Sequence, residues 1–143
     1  MDNLNLDKYT RRLVNEWNQH GKIVIAVDYD DTISPWRWSK EDLQDTINLV
    51  KECAIIGAYI VIFTSCSPDR YEEITRYCRK NDIPIDAINQ NPLQLPYGND
   101  NKIYANIFLD DRAGLEGAKK MLRTALYLQR AQKFANTHYD EIG

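Results

Sequence analysis

Lys22-Ile23-Val24-Ile25-Ala26-Val27-Asp28-Tyr29-Asp30-Asp31-Thr32 passes in one stretch from a buried-strand composition to a cluster of acids. The apolar part has strand length, and β-branched residues dominate it. It ends in two carboxylates two residues apart, with a hydroxyl two residues further on. Successive strand side chains alternate faces, so Asp28 and Asp30 can point the same way at the strand's carboxyl end. In open α/β sheets that edge is where ligands bind. Packing acids so closely is costly unless a cation or a shared proton compensates. The junction reads as a site rather than as a turn.

Working outward, the pattern of helices and strands alternates. A helix is expected over 6–18, with Tyr9, Leu13 and Trp17 on one face and Gly21 as its stop. The first strand covers 22–28. Ser39 with Asp42 has the form of a helix N-cap, followed by a buried stripe of Leu43, Ile47, Val50 and Ala54 that ends near Gly57. A second strand covers 59–63 and ends in Thr64-Ser65. Ser67-Pro68 opens a further helix carrying Ile74, Tyr77 and Cys78 inward. A short strand is expected at 85–88, a loop rich in Asn, Pro and Gly at 89–101, and a fourth strand at 107–109 ending in Asp110-Asp111. The last helix covers 115–134 with Leu115, Ala118, Leu122 and Leu126 inward, and the tail from Asn136 is expected to fray. This alternation predicts an α/β fold: a Rossmann-like three-layer sandwich around a central, mostly parallel sheet. Right-handed crossovers bring the strand ends to one edge, gathering Asp28/Asp30, Thr64 and Asp110/Asp111.

Composition limits what such a site can be. A chain of 143 residues fits one domain, 1–143, with its core over about 22–117 and an added helix at each end. Eighteen basic and 21 acidic residues give a net charge of −3, without the basic excess of a nucleic-acid surface. No stretch resembles a signal peptide or a membrane span, and three cysteines without metal-type spacing fit a reduced cytoplasm. His20 and His138 lie far from every motif, so a metal here is expected to be a hard, oxygen-ligated ion.

Each motif alone has a plain alternative. Aspartates after a strand can simply turn the chain, a hydroxyl such as Thr64 can cap it, and Lys102 in a polar loop can be solvated surface. In order and together, however, Asp28-Tyr29-Asp30-Asp31-Thr32, Thr64, Lys102 and Asp110-Asp111 resemble the four motifs of the haloacid dehalogenase (HAD) superfamily. The segments Phe63-Thr64-Ser65, 86–91 and 102–112 are also similar to small, capless members from bacteria and their phages. The resemblance covers about 22–117 and implies a cytoplasmic enzyme, in the host cytoplasm if phage-encoded.

The resemblance implies Mg²⁺-dependent hydrolysis of a phosphomonoester through an aspartyl-phosphate. Asp28 would be the nucleophile, and Asp30 the acid that protonates the leaving oxygen and then activates water. Asp28, Asp110 and the main-chain carbonyl of Asp30 would hold Mg²⁺, with Asp111 orienting Lys102 or water at the metal. Thr64, or Ser65 beside it, would donate to a phosphoryl oxygen, with Lys102 opposite and Thr32 in the same pocket. Where the family often has glycine before the threonine, this chain has Asp31, which puts the loop's conformation in question.

Only a short segment separates Asp28 from Ser39, and 89–101 is too short to fold by itself, so no cap domain is expected. An open site needs specificity from its loops. Trp36-Arg37-Trp38 could stack a flat group and meet a phosphate, or pack its rings onto the domain. Arg70 and Arg112 are secondary candidates for phosphate, each equally explained by a surface ion pair, and 97–100 is a candidate flap. The expected partner is a small phosphorylated substrate, a nucleotide among the choices. A polynucleotide end is a less favoured one. Dehalogenation fits poorly because Asp30 is present. A phospho-acceptor domain would place an acid near Ile88-Asn89-Gln90, where none stands, and a binder without turnover would be expected to lack a motif residue.

Overall fold

The computed structural model describes residues 5–92 and 103–142, with side chains through 136. Four strands, β1 (Val24–Asp28), β2 (Tyr59–Phe63), β3 (Ala87–Ile88) and β4 (Ile107–Leu109), form one sheet in the order β3-β2-β1-β4. Every pairing is parallel. β1 lies inside the sheet, and its register sets Asp28 beside Phe63, Ala26 beside Phe108 and Val27 beside Leu109. The arrangement is Rossmann-like, and all strand carboxyl ends meet at one edge.

The helices are α1 (Lys8–His20), α2 (Lys40–Ile55), α3 (Tyr71–Lys80) and α4 (Leu115–Ile142). Local chemistry fixes their ends. Asp7 caps α1 by accepting from the N–H groups of Tyr9 and Thr10, both at 2.9 Å. Gly21, at φ 71°, closes that helix with a 2.8 Å bond to the Trp17 carbonyl. Ser39 and Asp42 form a reciprocal capping box at α2. Ser67 and Pro68 open α3 through a 3₁₀ turn, Pro68–Arg70, and the Ser67 hydroxyl donates to Asp69 instead of capping the backbone.

Several expectations are corrected here. Tyr9 is 53% exposed, and Thr10 and Val14 join Leu13 and Trp17 on the inner face of α1. Along α2, Leu49 and Cys53 are buried and Ala54 only partly so. α4 continues to Ile142, past the point where fraying was expected. Its burial centres on Leu122, Ala125 and Leu126, with Leu115 and Ala118 at the margin. The third strand keeps only two residues because side chains replace its ladder. The carboxylate of Asp86 accepts from the N–H of Ile60 at 2.7 Å, and Asn89 does the same for Thr64 at 2.8 Å.

The helices and the sheet share one apolar cluster. Its sheet members, Ile25, Val27, Ile60, Ile62, Ile107 and Leu109, all belong to one side of the pleat. Burying such β-branched and leucine side chains contributes about 1.5–3 kcal/mol each before entropy is counted. On the sheet's other face Val24, Ala26 and Val61 are buried, while Phe63 and Phe108 remain 41% and 43% exposed.

Candidate functional site

The acids converge where β1 and β4 end side by side. One carboxylate oxygen from each of Asp28, Asp110 and Asp111 lies within 4.8 Å of the others. The Thr32 hydroxyl stitches the two strand ends together. It donates to Asp28 Oδ2 at 3.0 Å and accepts the backbone N–H of Asp111 at 3.1 Å. Thr32 is fully buried, so it reaches a ligand only through these partners. The Arg112 N–H donates to Asp110 Oδ1 at 2.9 Å and orients that carboxylate in turn.

Crowding changes the acid chemistry of Asp28. Burial raises its carboxyl first, then the hydrogen bond with Asp111 and the charge of Asp110, while the Thr32 hydroxyl opposes them. The result is a pKa of about 7. Three such oxygens at an open strand edge fit a hard divalent cation, whose charge would relieve the repulsion that now favours a proton. The donor set is all oxygen, as Mg²⁺ or Ca²⁺ requires.

A cavity of about 460 Å³ opens over the cluster. Asp28, Asp30, Thr64 and Ser65 line it beside Asp110 and Asp111. Thr64 is held by Asn89, whose Oδ1 accepts its N–H at 2.8 Å and whose Nδ2 donates to its carbonyl at 2.7 Å. The Thr64 hydroxyl accepts the Cys66 N–H at 3.2 Å, and Ser65 is exposed beside it. Asn89 takes φ 53°, a left-handed conformation that asparagine tolerates. It is a site-building residue that the sequence reading passed over; its signal was an Asx residue immediately after a strand. Asp30 sits outside the three-carboxylate cluster. The Cys66 thiol approaches its Oδ2 at 3.9 Å. Arg70 does not line the cavity; it donates to Cys66 Sγ at 3.2 Å, pairs with Glu73 at 3.6 Å and interacts with the charge of Asp30. Arg112 lines the cavity. Lys102 and the segment 97–100 lie outside the described residues.

Asp31 resolves the departure noted above. It takes φ 61°, the region that glycine would favour, and its side chain is buried. Its Oδ1 accepts the backbone N–H groups of Trp36, Arg37 and Trp38 at 3.0, 2.7 and 3.1 Å. Burial pushes this carboxyl up, but the three donors and the Arg37 charge outweigh it, and its pKa is lowered. The charge is thus spent on the loop. Beneath it the Tyr29 carbonyl accepts from Thr32, Ile33 and Ser34, and Tyr29 stacks edge-on against Tyr77 at 5.7 Å. Trp36 and Trp38 are 66% and 56% exposed, so neither ring packs into the core. Trp36 lines the acidic cavity, with the Arg37 guanidinium 5.0 Å from its ring centroid. Trp38 instead lines a second cavity of about 540 Å³ beside Lys119 and Glu116.

A search of solved structures finds similarity to a conserved protein from Bacteroides thetaiotaomicron. The match has a TM-score of 0.54 and 24% identity, and it covers 64% of this chain and 77% of that one. That likeness concerns the fold. No family model matches this sequence, and no curated protein does. No described helix is long and apolar enough to cross a membrane.

Proposed function

We propose that this protein is a Mg²⁺-dependent phosphomonoester hydrolase of the haloacid dehalogenase type, working through an aspartyl-phosphate on small phosphorylated metabolites. The observation that carries this reading is the Asp28, Asp110 and Asp111 cluster, within 4.8 Å, opening into a cavity that Asp30, Thr64 and Ser65 also line. Phosphoryl transfer depends on positioning and charge neutralisation, and this donor set suits both.

Asp28, Asp110 and Asp111 would hold Mg²⁺, which supplies positive charge against the phosphoryl oxygens. Asp28 acts as nucleophile: its oxygen forms a bond to phosphorus as the bond to the leaving alcohol breaks. Thr32 fixes the orientation of that carboxylate by its 3.0 Å hydrogen bond. Asp30 gives a proton to the leaving oxygen, then takes one from the water that cleaves the acyl phosphate. Thr64 and Ser65 offer hydroxyls to the phosphoryl group, and Arg112 brings a positive charge to the same cavity.

The test is hydrolysis of a generic phosphomonoester with and without Mg²⁺, in the native protein and in Asp28→Asn. The substitution keeps shape but removes the nucleophilic charge, so turnover should fall on the order of 10⁴-fold or more. Near-normal turnover in the pure variant would refute the assignment. One slow phosphorylation per molecule would instead indicate a phospho-acceptor domain, and neither event a binding protein.

A further inference from the structure

We propose that the substrate is a phosphomonoester carrying a planar heterocycle, a nucleoside 5′-monophosphate by chemical class, whose ring is bound by Trp36 and Phe63. This rests on the hydrolase reading for the phosphate end alone. The cavity, at about 460 Å³, falls in the size range of sites for whole small molecules, whereas a phosphate needs only its acidic end. Besides its acids, the two hydroxyls of Thr64 and Ser65 and the Arg112 side chain, its lining holds two aromatic rings. Phe63 and Trp36 border the same space as the carboxylates.

The placement of Phe63 follows from the register. It is the partner of Asp28 across the β1–β2 ladder, so the two side chains leave the same face of the sheet. Adjacent strands are about 4.8 Å apart, so the Phe63 side chain leaves the sheet one strand-spacing from that of Asp28. Alternation removes Phe63 from the core that Ile60 and Ile62 enter, and it stays 41% exposed. Phe108 braces it edge-on, with centroids 5.9 Å apart and planes at 74°. A braced, accessible ring beside a nucleophile is suited to stacking.

Trp36 completes the aromatic side. Its ring is exposed, yet its backbone is fixed by the 3.0 Å bond to Asp31, and Arg37 covers only one face of the indole. Trp38, whose ring belongs to the other cavity, is not part of this subsite. Asp31, which also borders this cavity, acts as a positioning residue by setting where Trp36 stands.

The experiment compares adenosine 5′-monophosphate with ribose 5-phosphate, which share the reacting ester and differ by the base. A base-aromatic stack should lower KM for the nucleotide by about 5- to 150-fold relative to the sugar phosphate. Trp36→Ala and Phe63→Ala should each shrink that ratio, and Trp36→Phe should restore much of it. Binding of both ligands to the Mg²⁺-loaded protein is read separately by calorimetry. If neither ester is hydrolysed but the nucleotide binds tighter by a similar factor, the hydrolase reading falls and the aromatic subsite stands. Equal KM and equal affinity for the two ligands, or a preference that survives both alanine variants, overturns the subsite.

Discussion

Two parts of the segment joining β1 to α2 are secured in opposite ways. Thr32 binds its loop across to β4, donating to Asp28 and accepting from the Asp111 backbone, and Tyr29 beneath it gathers three further N–H groups. Trp36, Arg37 and Trp38 hang by their backbone N–H groups from a single oxygen of Asp31. The acid cluster is thus locked between two strands of the sheet, while the aromatic arm depends on one side chain of its own loop. Chemistry needs fixed carboxylates; substrate selection tolerates an arm that yields. Damage to the first part should appear in turnover and in the larger losses of stability, and damage to the second in KM with smaller losses of stability.

Asp30, between the two parts, offers the largest test. In the proposed mechanism, where it is general acid and base, it should be worth about 10²–10⁴-fold with a poor leaving group such as an alkyl ester, and much less with an activated aryl phosphate. Measuring Asp30→Asn on both esters separates this from a purely structural role, which would lower both alike.

Thr32→Val breaks the inter-strand tie while preserving shape. It leaves the Asp111 N–H without its acceptor, and an unmet buried donor costs about 1–3 kcal/mol. Denaturant unfolding should show that loss; a midpoint shift below the experimental error would mean the tie is dispensable.

At Asp31 the expected effects are smaller and ordered. Alanine loses both the three N–H bonds and the tolerance for φ 61°, glycine loses only the bonds, and asparagine keeps an acceptor. Thermal unfolding should therefore rank alanine worst and asparagine mildest, with alanine and glycine separated by about 1–2 kcal/mol from backbone strain. The pH dependence has a definite sign. Because the folded pKa of Asp31 is lowered, its contribution is complete above the unfolded value of about 3.9 and fades as pH falls through the folded value. Native protein and Asp31→Asn should converge in stability below about pH 4. A constant gap down to pH 3 would show that the charge contributes nothing.

How much of this was legible in the sequence depended on how local its cause was. β2 and β4 were bounded correctly, because a short apolar run closed by polar residues is its own signal. Asp28 and Asp110-Asp111 at the strand ends were legible for the same reason. So were the Ser39–Asp42 box and the Gly21 stop, where the interacting atoms lie within four residues. Tyr9 was misplaced because periodicity fixes a stripe only to within a residue, and contact with α4 selects which side of that stripe is covered.

The sequence by itself determined an alternating α/β chain with acids, a hydroxyl and a second acid pair at the ends of its first, second and fourth strands, since local periodicity and capping encode those features. Only the tertiary structure decided what faces what. It brought Asp28 within reach of Asp110 and Asp111 and thereby raised its pKa to about 7. It turned Asp31 from an unexplained charge into the anchor of three N–H groups, and set Phe63 beside Asp28 across a strand pair. Those properties are sums over neighbours remote in the chain, and no local pattern carries them, because burial, repulsion and register exist only once the strands are paired.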